Sequence, residues 1–290
     1  MEPVQIQDDS GSCLSLLEDA GCYFSPNVEP DHILDLQNFK ARNDDVLVVS
    51  YPKSGTHWVS EIVSMLVKDS SVLLDDPIMH TEYVPMAALD SLTSPRVMCS
   101  HLPLSRVPLD FLRKRAKIVV CVRNPRDVCV SYFRFISTLS VWDYSGDWDS
   151  FLPLFLEGKV PYNSWFKHVD SWLDSWREGK HNVHLVFYED LHSNFDDELR
   201  KLARFLGVEL SKERLEDVKR ETRFENMKKN KLDITLSISK TGQTAIYKNG
   251  RVGDWGRWFT PEQVGQMDEE LEACGLHRDP KFKYSLDDTD

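Results

Sequence analysis

No stretch of this chain approaches the ~20 uninterrupted apolar residues that a membrane-spanning helix needs. Its start, MEPVQIQDDSGS, lacks both the basic opening and the apolar core of a secretory signal. Basic charge is also scarce: 35 Lys and Arg face 47 Asp and Glu, a formal net charge of −12. That balance argues against a surface for nucleic acid or anionic membrane, so any anion site must be a local basic concentration. Six cysteines (Cys13, Cys22, Cys99, Cys121, Cys129, Cys274) show no metal-type spacing, and without an export signal free thiols are the default. Internal repeats and low-complexity linkers are missing too. These absences lead us to expect a soluble, cytoplasmic protein that uses no metal.

What is present begins with length. At 290 residues the chain can bury about 75 % of its unfolded surface. Residues 1–20 are polar and acidic, which predicts a loose N-terminal segment. Beyond it, short apolar runs alternate with helical periodicity. Val46–Val49, Lys117–Val122 (KIVVCV) and Val183–Phe187 (VHLVF) read as buried strands, with a further short strand from Arg96 to Cys99. Helices are expected from Pro125 through Leu139, from Trp148 to Leu156, from Trp165 to Trp176 and from Asn194 to Leu206. Buried strands alternating with helices mean a parallel, helix-covered sheet with ligand sites at the strand C-terminal ends. The expectation is one α/β domain spanning 21–290.

The stretch VLVVSYPKSGTHW (46–58) carries the most chemistry. Pro52 and Gly55 break the chain into a tight turn. From Thr56 onward, Trp58, Val59, Ile62, Met65 and Leu66 recur at helical spacing. A strand, a turn and a helix start make an anion site, because free N–H groups and the positive helix end face the turn. A Walker loop would place its lysine after a second glycine, whereas Lys53 precedes the only glycine here. A single phosphate-like group beside Lys53 is the reading that fits. The plain alternative is a strand-to-helix turn with a solvated lysine.

Three further segments stand out. In VCVRNPRDVCVSYF (120–133), Arg123 follows a buried strand and can hold a phosphate through two parallel hydrogen bonds. Arg126 fits a structural pair better, with Asp127 or Asp143 as partner. In CSHLP (99–103), His101 is a candidate base near neutral pH, although a lone histidine is more often a surface or core residue. KNGRVGDW (248–255) has two glycines among basic and amide side chains, which suits either a phosphate-approaching loop or an ordinary exposed one.

Together YPKSGTHW, RNPRDVCVSYF, YED at Tyr188–Asp190 and GDW at Gly253–Trp255 resemble the cytosolic sulfotransferases. The likeness also takes in WDSFLPLFLEGKVPYNSW and FENMKKN, and runs from about residue 25 to 285. It implies a five-stranded parallel sheet flanked by helices, with a P-loop-like phosphosulfate-binding loop. The co-substrate it implies is 3′-phosphoadenosine 5′-phosphosulfate (PAPS), leaving the desulfated nucleotide PAP. The resemblance assigns Lys53 to the bridging oxygen, and Ser54, Gly55, Thr56, His57 and Trp58 to the 5′-phosphate, with Trp58 also beside the adenine. Arg123 and Ser131 match the pair on the 3′-phosphate. Tyr188, Thr222, Phe224 and Met227 match residues around the adenine, and Lys248, Asn249 and Gly250 match the loop closing over the 3′-phosphate. His101 matches the base that deprotonates the acceptor.

Several positions depart from the family pattern. Cys99 stands where many members have a second lysine, His57 where the loop usually has a threonine, and Lys248-Asn249-Gly250 where Arg-Lys-Gly is usual. A weaker dependence on the 3′-phosphate is expected, with Arg251 close enough to share its duty. In the family's dimer segment only Thr260 remains, Gly256, Pro261 and Gly265 replacing the rest, so a monomer or weak dimer is expected. The acceptor is expected to be a small, largely apolar phenol, alcohol, steroid or amine. It would meet residues from 81–90 (Tyr83, Met86), 141–148 (Trp142, Tyr144) and 232–247. A PAPS/PAP-binding protein with weakened catalysis is the alternative that Cys99 motivates, and an ordinary phosphotransferase is disfavoured by the missing Walker motif.

Overall fold

β-Branched and apolar runs do become buried strands in the computed structural model, which describes residues 1–73, 79–230, 250–277 and 282–286. The described chain divides into two compact units. One comprises Glu29–Val122 with Ser171–Lys229, and the other comprises Met1–Val28, Arg123–Asp170 and Asn230–Asp290.

The first unit holds a parallel sheet in the order β5-β4-β6-β7. Its strands are β4 (Val46–Ser50), β5 (Val97–Ser100), β6 (Lys117–Val122) and β7 (Val183–Phe187). β4 is central and buried at every position, as expected of a strand covered on both faces. Helix α2 (Thr56–Val67) packs on β4 and β5, while α8 (Tyr188–Ser193) and α9 (Phe195–Leu206) pack on β7. The α/β class is as the sequence implies, but among the described residues the parallel sheet has four strands rather than five. Among the described residues the outer edge of β5 carries one parallel bridge, His80 with Cys99. Beyond that bridge Tyr83 N–H and Val84 N–H turn back onto the His80 carbonyl, and the segment closes into a turn.

The ends of β4 and β5 are held by a buried ion pair just ahead of both strands. Arg96 donates Nε–H to Asp45 Oδ1 at 2.8 Å and Nη2–H to Oδ2 at 2.6 Å. Neither side chain has any exposed surface. The guanidinium also donates to the Lys40 carbonyl at 2.9 Å and lies 4.9 Å over the Phe39 ring. This fork satisfies the charges that burial would otherwise penalise.

The second unit contains an antiparallel sheet, β1 (Glu2–Gln7), β2 (Cys13–Asp19) and β3 (Cys22–Phe24). The expected loose segment 1–20 is therefore a paired hairpin, with Glu2 opposite Glu18 and Gln7 opposite Cys13. Its polar composition concealed a period-two pattern in which Leu14 and Leu16 are buried. Asp8 closes the turn by accepting from Ser10 N–H and Ser12 N–H, both at 2.9 Å, and from Tyr144 O–H at 2.8 Å. Burial alone would raise the Asp8 pKa, yet these hydrogen bonds outweigh it and hold the carboxyl below its ordinary value. Helices α5 (Pro125–Thr138) and α6 (Trp148–Leu156) lie in this unit, with a last described helix at Pro261–Ala273. Helix α7 (Trp165–Arg177) begins in this unit and ends in the first. Among the described residues no helix is long and apolar enough to cross a membrane.

Removing one partner of the Arg96–Asp45 pair leaves a buried charge uncompensated, so Asp45→Ala should cost about 3–5 kcal/mol in urea unfolding. The double variant Asp45→Ala/Arg96→Met should recover most of that loss.

Candidate functional site

The turn after β4 has an unusual backbone path. Lys53 takes φ 70° and Gly55 φ 103°, left-handed conformations that a non-glycine residue such as Lys53 adopts only at a cost. Ser54 N–H bonds back to the Tyr51 carbonyl at 3.2 Å. Gly55 is the N-cap of α2 and offers no side-chain cap. The first-turn amides of the helix therefore lack an intrahelical acceptor and face the turn. No side chain fits at residue 55, because a Cβ there would stand 2.7 Å from the Tyr188 ring. From below, the Cys121 thiol donates to the Ser54 carbonyl at 3.0 Å. Ser50 Oγ and Thr56 Oγ1 lie 2.5 Å apart and tie the strand end to the helix start.

Two buried polar atoms here, Ser54 Oγ and Trp58 Nε1, have no hydrogen-bond partner. Buried donors without partners are costly, and an anionic ligand with polar groups would satisfy them. The Trp58 ring packs edge-on to Tyr188 at 5.4 Å, against His192 at 4.7 Å and over Phe195 at 6.2 Å. An aromatic wall thus stands next to the turn, of the kind that accepts a flat base.

His101 follows β5 and so emerges beside the β4 turn. Its Nδ1 lies 2.8 Å from the Ser50 carbonyl oxygen. A carbonyl only accepts, so Nδ1 carries the proton and Nε2 keeps its lone pair. Burial lowers the pKa of His101; Glu82 and the Ser50 bond pull it up, Lys53 pushes it down, and the net shift is below the ordinary 6.5. The ring is thus neutral and basic at neutral pH. It sits 4.8 Å from the ring of His80, which lies 6.0 Å from that of His57. Burial first, then His101 and His57, hold His80 well below its ordinary pKa. No group of three or more His, Cys, Asp or Glu able to hold a metal occurs among the described residues.

Lys53, Ser54, Gly55, Thr56, His57, Trp58, His101 and Tyr188 thus gather in the first unit. Thr222, the C-cap of α10 (Lys212–Glu221), and Met227, on α11 (Phe224–Asn230), are buried in the same unit. Phe224 opens α11. In the second unit Arg123 donates Nη2–H to the Arg251 carbonyl at 2.9 Å and lies 3.7 Å from Asp127. Ser131 is half-buried on α5. Gly250 has φ 56°, while Lys248, Asn249 and the acceptor stretch 232–247 lie outside the described residues. Arg126 is structural, as read, but its partner is Asp268 at 2.6 Å rather than Asp127 or Asp143.

The buried side chains Trp142 and Tyr144 pack in the second unit, Trp142 against Phe135 and Tyr144 against Phe151. With its hydroxyl on Asp8, Tyr144 is a strut as well as an aromatic surface. Sequence reasoning missed His80, Glu82, His192 and Phe195, which meet the site only through the fold. The Cys121 thiol bond to the turn had no sequence signal.

A family model described as "Sulfotransferase domain" matches residues 43–274. Rat sulfotransferase 1A1 is 33 % identical over 280 residues, covering 91 % of this chain and 94 % of its own. Bovine sulfotransferase 1E1 is 36 % identical over 269 residues, covering 87 % and 90 %. Among solved structures, mouse sulfotransferase SULT7A1 complexed with PAP superposes with a TM-score of 0.80 at 31 % identity. That match covers 91 % of this chain and 96 % of the mouse one.

Gly55→Ala should destabilise the protein by more than about 1 kcal/mol in thermal melts, from left-handed strain plus the Tyr188 clash. Gly256→Ala, with open space around the new methyl, should change little.

Proposed function

The chain belongs to the sulfotransferase domain family, and we propose that it moves a sulfuryl group from PAPS to a hydroxyl or amine of a small, largely apolar acceptor. The PAP complex of its mouse relative supports PAPS as the co-substrate. The observation that carries the reading is the placing of His101 against the strained Lys53–Gly55 turn, its Nδ1 pinned on Ser50. Bound PAPS supplies an activated sulfuryl group with a phosphate leaving group.

We assign the chain's own residues as follows. The amides opening α2, with Ser54, Gly55, Thr56 and His57, bind the 5′-phosphate. Lys53 neutralises charge on the bridging oxygen, in the way preorganised donors lower such barriers. Trp58, Tyr188, Thr222, Phe224 and Met227 serve the adenine. Arg123, Ser131, Lys248, Asn249 and Gly250 serve the 3′-phosphate. The lone pair of His101 Nε2 takes the acceptor's proton. Cys99 contributes no cation: burial, and then the Glu82 charge, push its thiol pKa well up, so it stays neutral where many members carry a lysine. This favours a slower transfer than the family norm, while Lys53 and His101 argue against loss of activity.

With labelled PAPS and a panel of 2-naphthol, tyramine and a 3-hydroxysteroid, at least one acceptor should be sulfated. Binding without transfer would leave only the weakened-binder reading. Lys53→Ala and His101→Ala should each lower kcat by about 10²-fold or more. The base works only when neutral, so kcat/KM should fall as pH drops through the lowered His101 pKa. The acid limb should therefore lie below the ordinary 6.5, and a limb above that value would remove His101 from the role.

Thr260 and Gln263 form a capping box with Pro261 at the first turn of the helix they open. Those positions therefore serve a helix start, and we expect a monomer in sedimentation at micromolar concentration.

A further inference from the structure

Beside His101 lies a carboxylate that the sequence did not single out. Glu82 is fully buried. Its Oε1 accepts the backbone N–H of His101 at 2.5 Å, and its Oε2 accepts Thr81 Oγ1–H at 2.6 Å. The segment carrying it is fixed from two directions. Cys99 N–H donates to the Met79 carbonyl and Thr81 N–H to the Cys99 carbonyl, both at 2.9 Å. On the other side His32 Nε2, on α1 (Pro30–Asp35), sits 2.7 Å from the Thr81 carbonyl oxygen. A buried carboxylate is expensive to maintain, and this one is aimed at the backbone of the proposed base.

From this geometry we propose that Glu82 is a positioning residue: it fixes the backbone of His101 at the end of β5 and sets how strongly that imidazole holds a proton. The inference rests on the reading of His101 given above. Two contacts act on the same residue from opposite ends. Glu82 holds the main-chain N–H, and the Ser50 carbonyl holds ring Nδ1–H. The Ser50 contact leaves Nε2 as the ring nitrogen with the lone pair.

The charge surroundings explain why such a group is useful. The charged groups that act on His101 are Lys53 from the turn and Glu82 from the edge segment; the His80 ring lies 4.8 Å away with His57 beyond it, and Cys99 on β5 faces Glu82. Burial and Lys53 both disfavour an imidazolium, while Glu82 favours one. Without that negative charge His101 would be a weaker base at the moment it must accept a proton. With it, the ring is neutral at rest yet can be charged in passing.

The test compares wild type with Glu82→Gln, which keeps the size and an amide oxygen for the His101 N–H but removes the charge. The Thr81 hydroxyl can reverse its role toward the new amide. Imidazole resonances of His101, titrated by NMR, should move to lower pH by about half a unit or more. The acid limb of kcat/KM for the best acceptor of the panel should move the same way, and kcat at neutral pH should fall about three- to tenfold. Affinity for PAP, measured by calorimetry, should stay within about threefold, since the nucleotide contacts are untouched. An unmoved or upward-moving His101 titration overturns the proposal. A titration that moves down while the rate profile stays still supports Glu82's hold on His101 and instead removes His101 as the base. Should Glu82→Gln fail to fold, Glu82→Asp retains the charge but withdraws it from the amide. Faster hydrogen exchange at the His101 N–H with PAP affinity retained then supports the role, and unchanged exchange rejects it.

Discussion

The backbone path from Tyr51 to Thr56 is the constraint on which the rest depends. Two successive departures into left-handed space, at Lys53 and Gly55, are what end β4 and aim the start of α2 at one point. Such strain survives only where the surroundings over-determine it. Here they do so from several sides. The Tyr188 ring closes the space above Gly55, the Cys121 thiol holds the Ser54 carbonyl, and the Ser50 and Thr56 hydroxyls clamp the turn's two ends. Deeper still, the Arg96–Asp45 fork sets where β4 and β5 begin, and hence where His101 emerges relative to that turn.

The electrostatics of the site follow from the scarcity of cations. In a chain with a net charge of −12, a binding point for an anion must be assembled from few positive groups. The turn after β4 offers Lys53 and the partial charge of a helix N-terminus. The His80 imidazole is kept neutral by burial and by His101 and His57, the His101 imidazole by burial and Lys53, and the Cys99 thiol by burial and Glu82. Neutral rings can accept protons and donate hydrogen bonds without adding a repulsive charge beside Lys53.

The second unit shows why RNPRD and GDW occur in one chain although more than a hundred residues separate them. Asp127 accepts Gly253 N–H at 2.8 Å and Trp255 N–H at 3.0 Å. Arg134 pairs with Asp254 at 2.7 Å, and Arg126 stacks 4.6 Å over the Trp255 ring. The same contacts explain the two arginines. Arg126 is spent on Asp268 and the aromatic rings, whereas Arg123 reaches the Arg251 carbonyl beside the glycine-rich loop.

Local rules sufficed wherever one residue's neighbours in sequence are also its partners in space. The buried runs Lys117–Val122 and Val183–Phe187 are strands to the residue. Pro125 opens α5 with Asn124 as its cap, and the Lys53–Gly55 turn was legible from its glycine, its lysine and the helical spacing that follows. Composition misled at residues 1–20, because Leu14 and Leu16 alternate with polar neighbours and pair only once β1 lies alongside. It also gave no hint of the isolated His80–Cys99 bridge at the edge of the described four-stranded sheet. Glu82 in the sequence is one acid among many. Its meaning comes from the non-local hydrogen bonds that its neighbours Met79 and Thr81 make with Cys99 and His32, which carry it to His101, and such long-range pairing is visible only after the chain has folded.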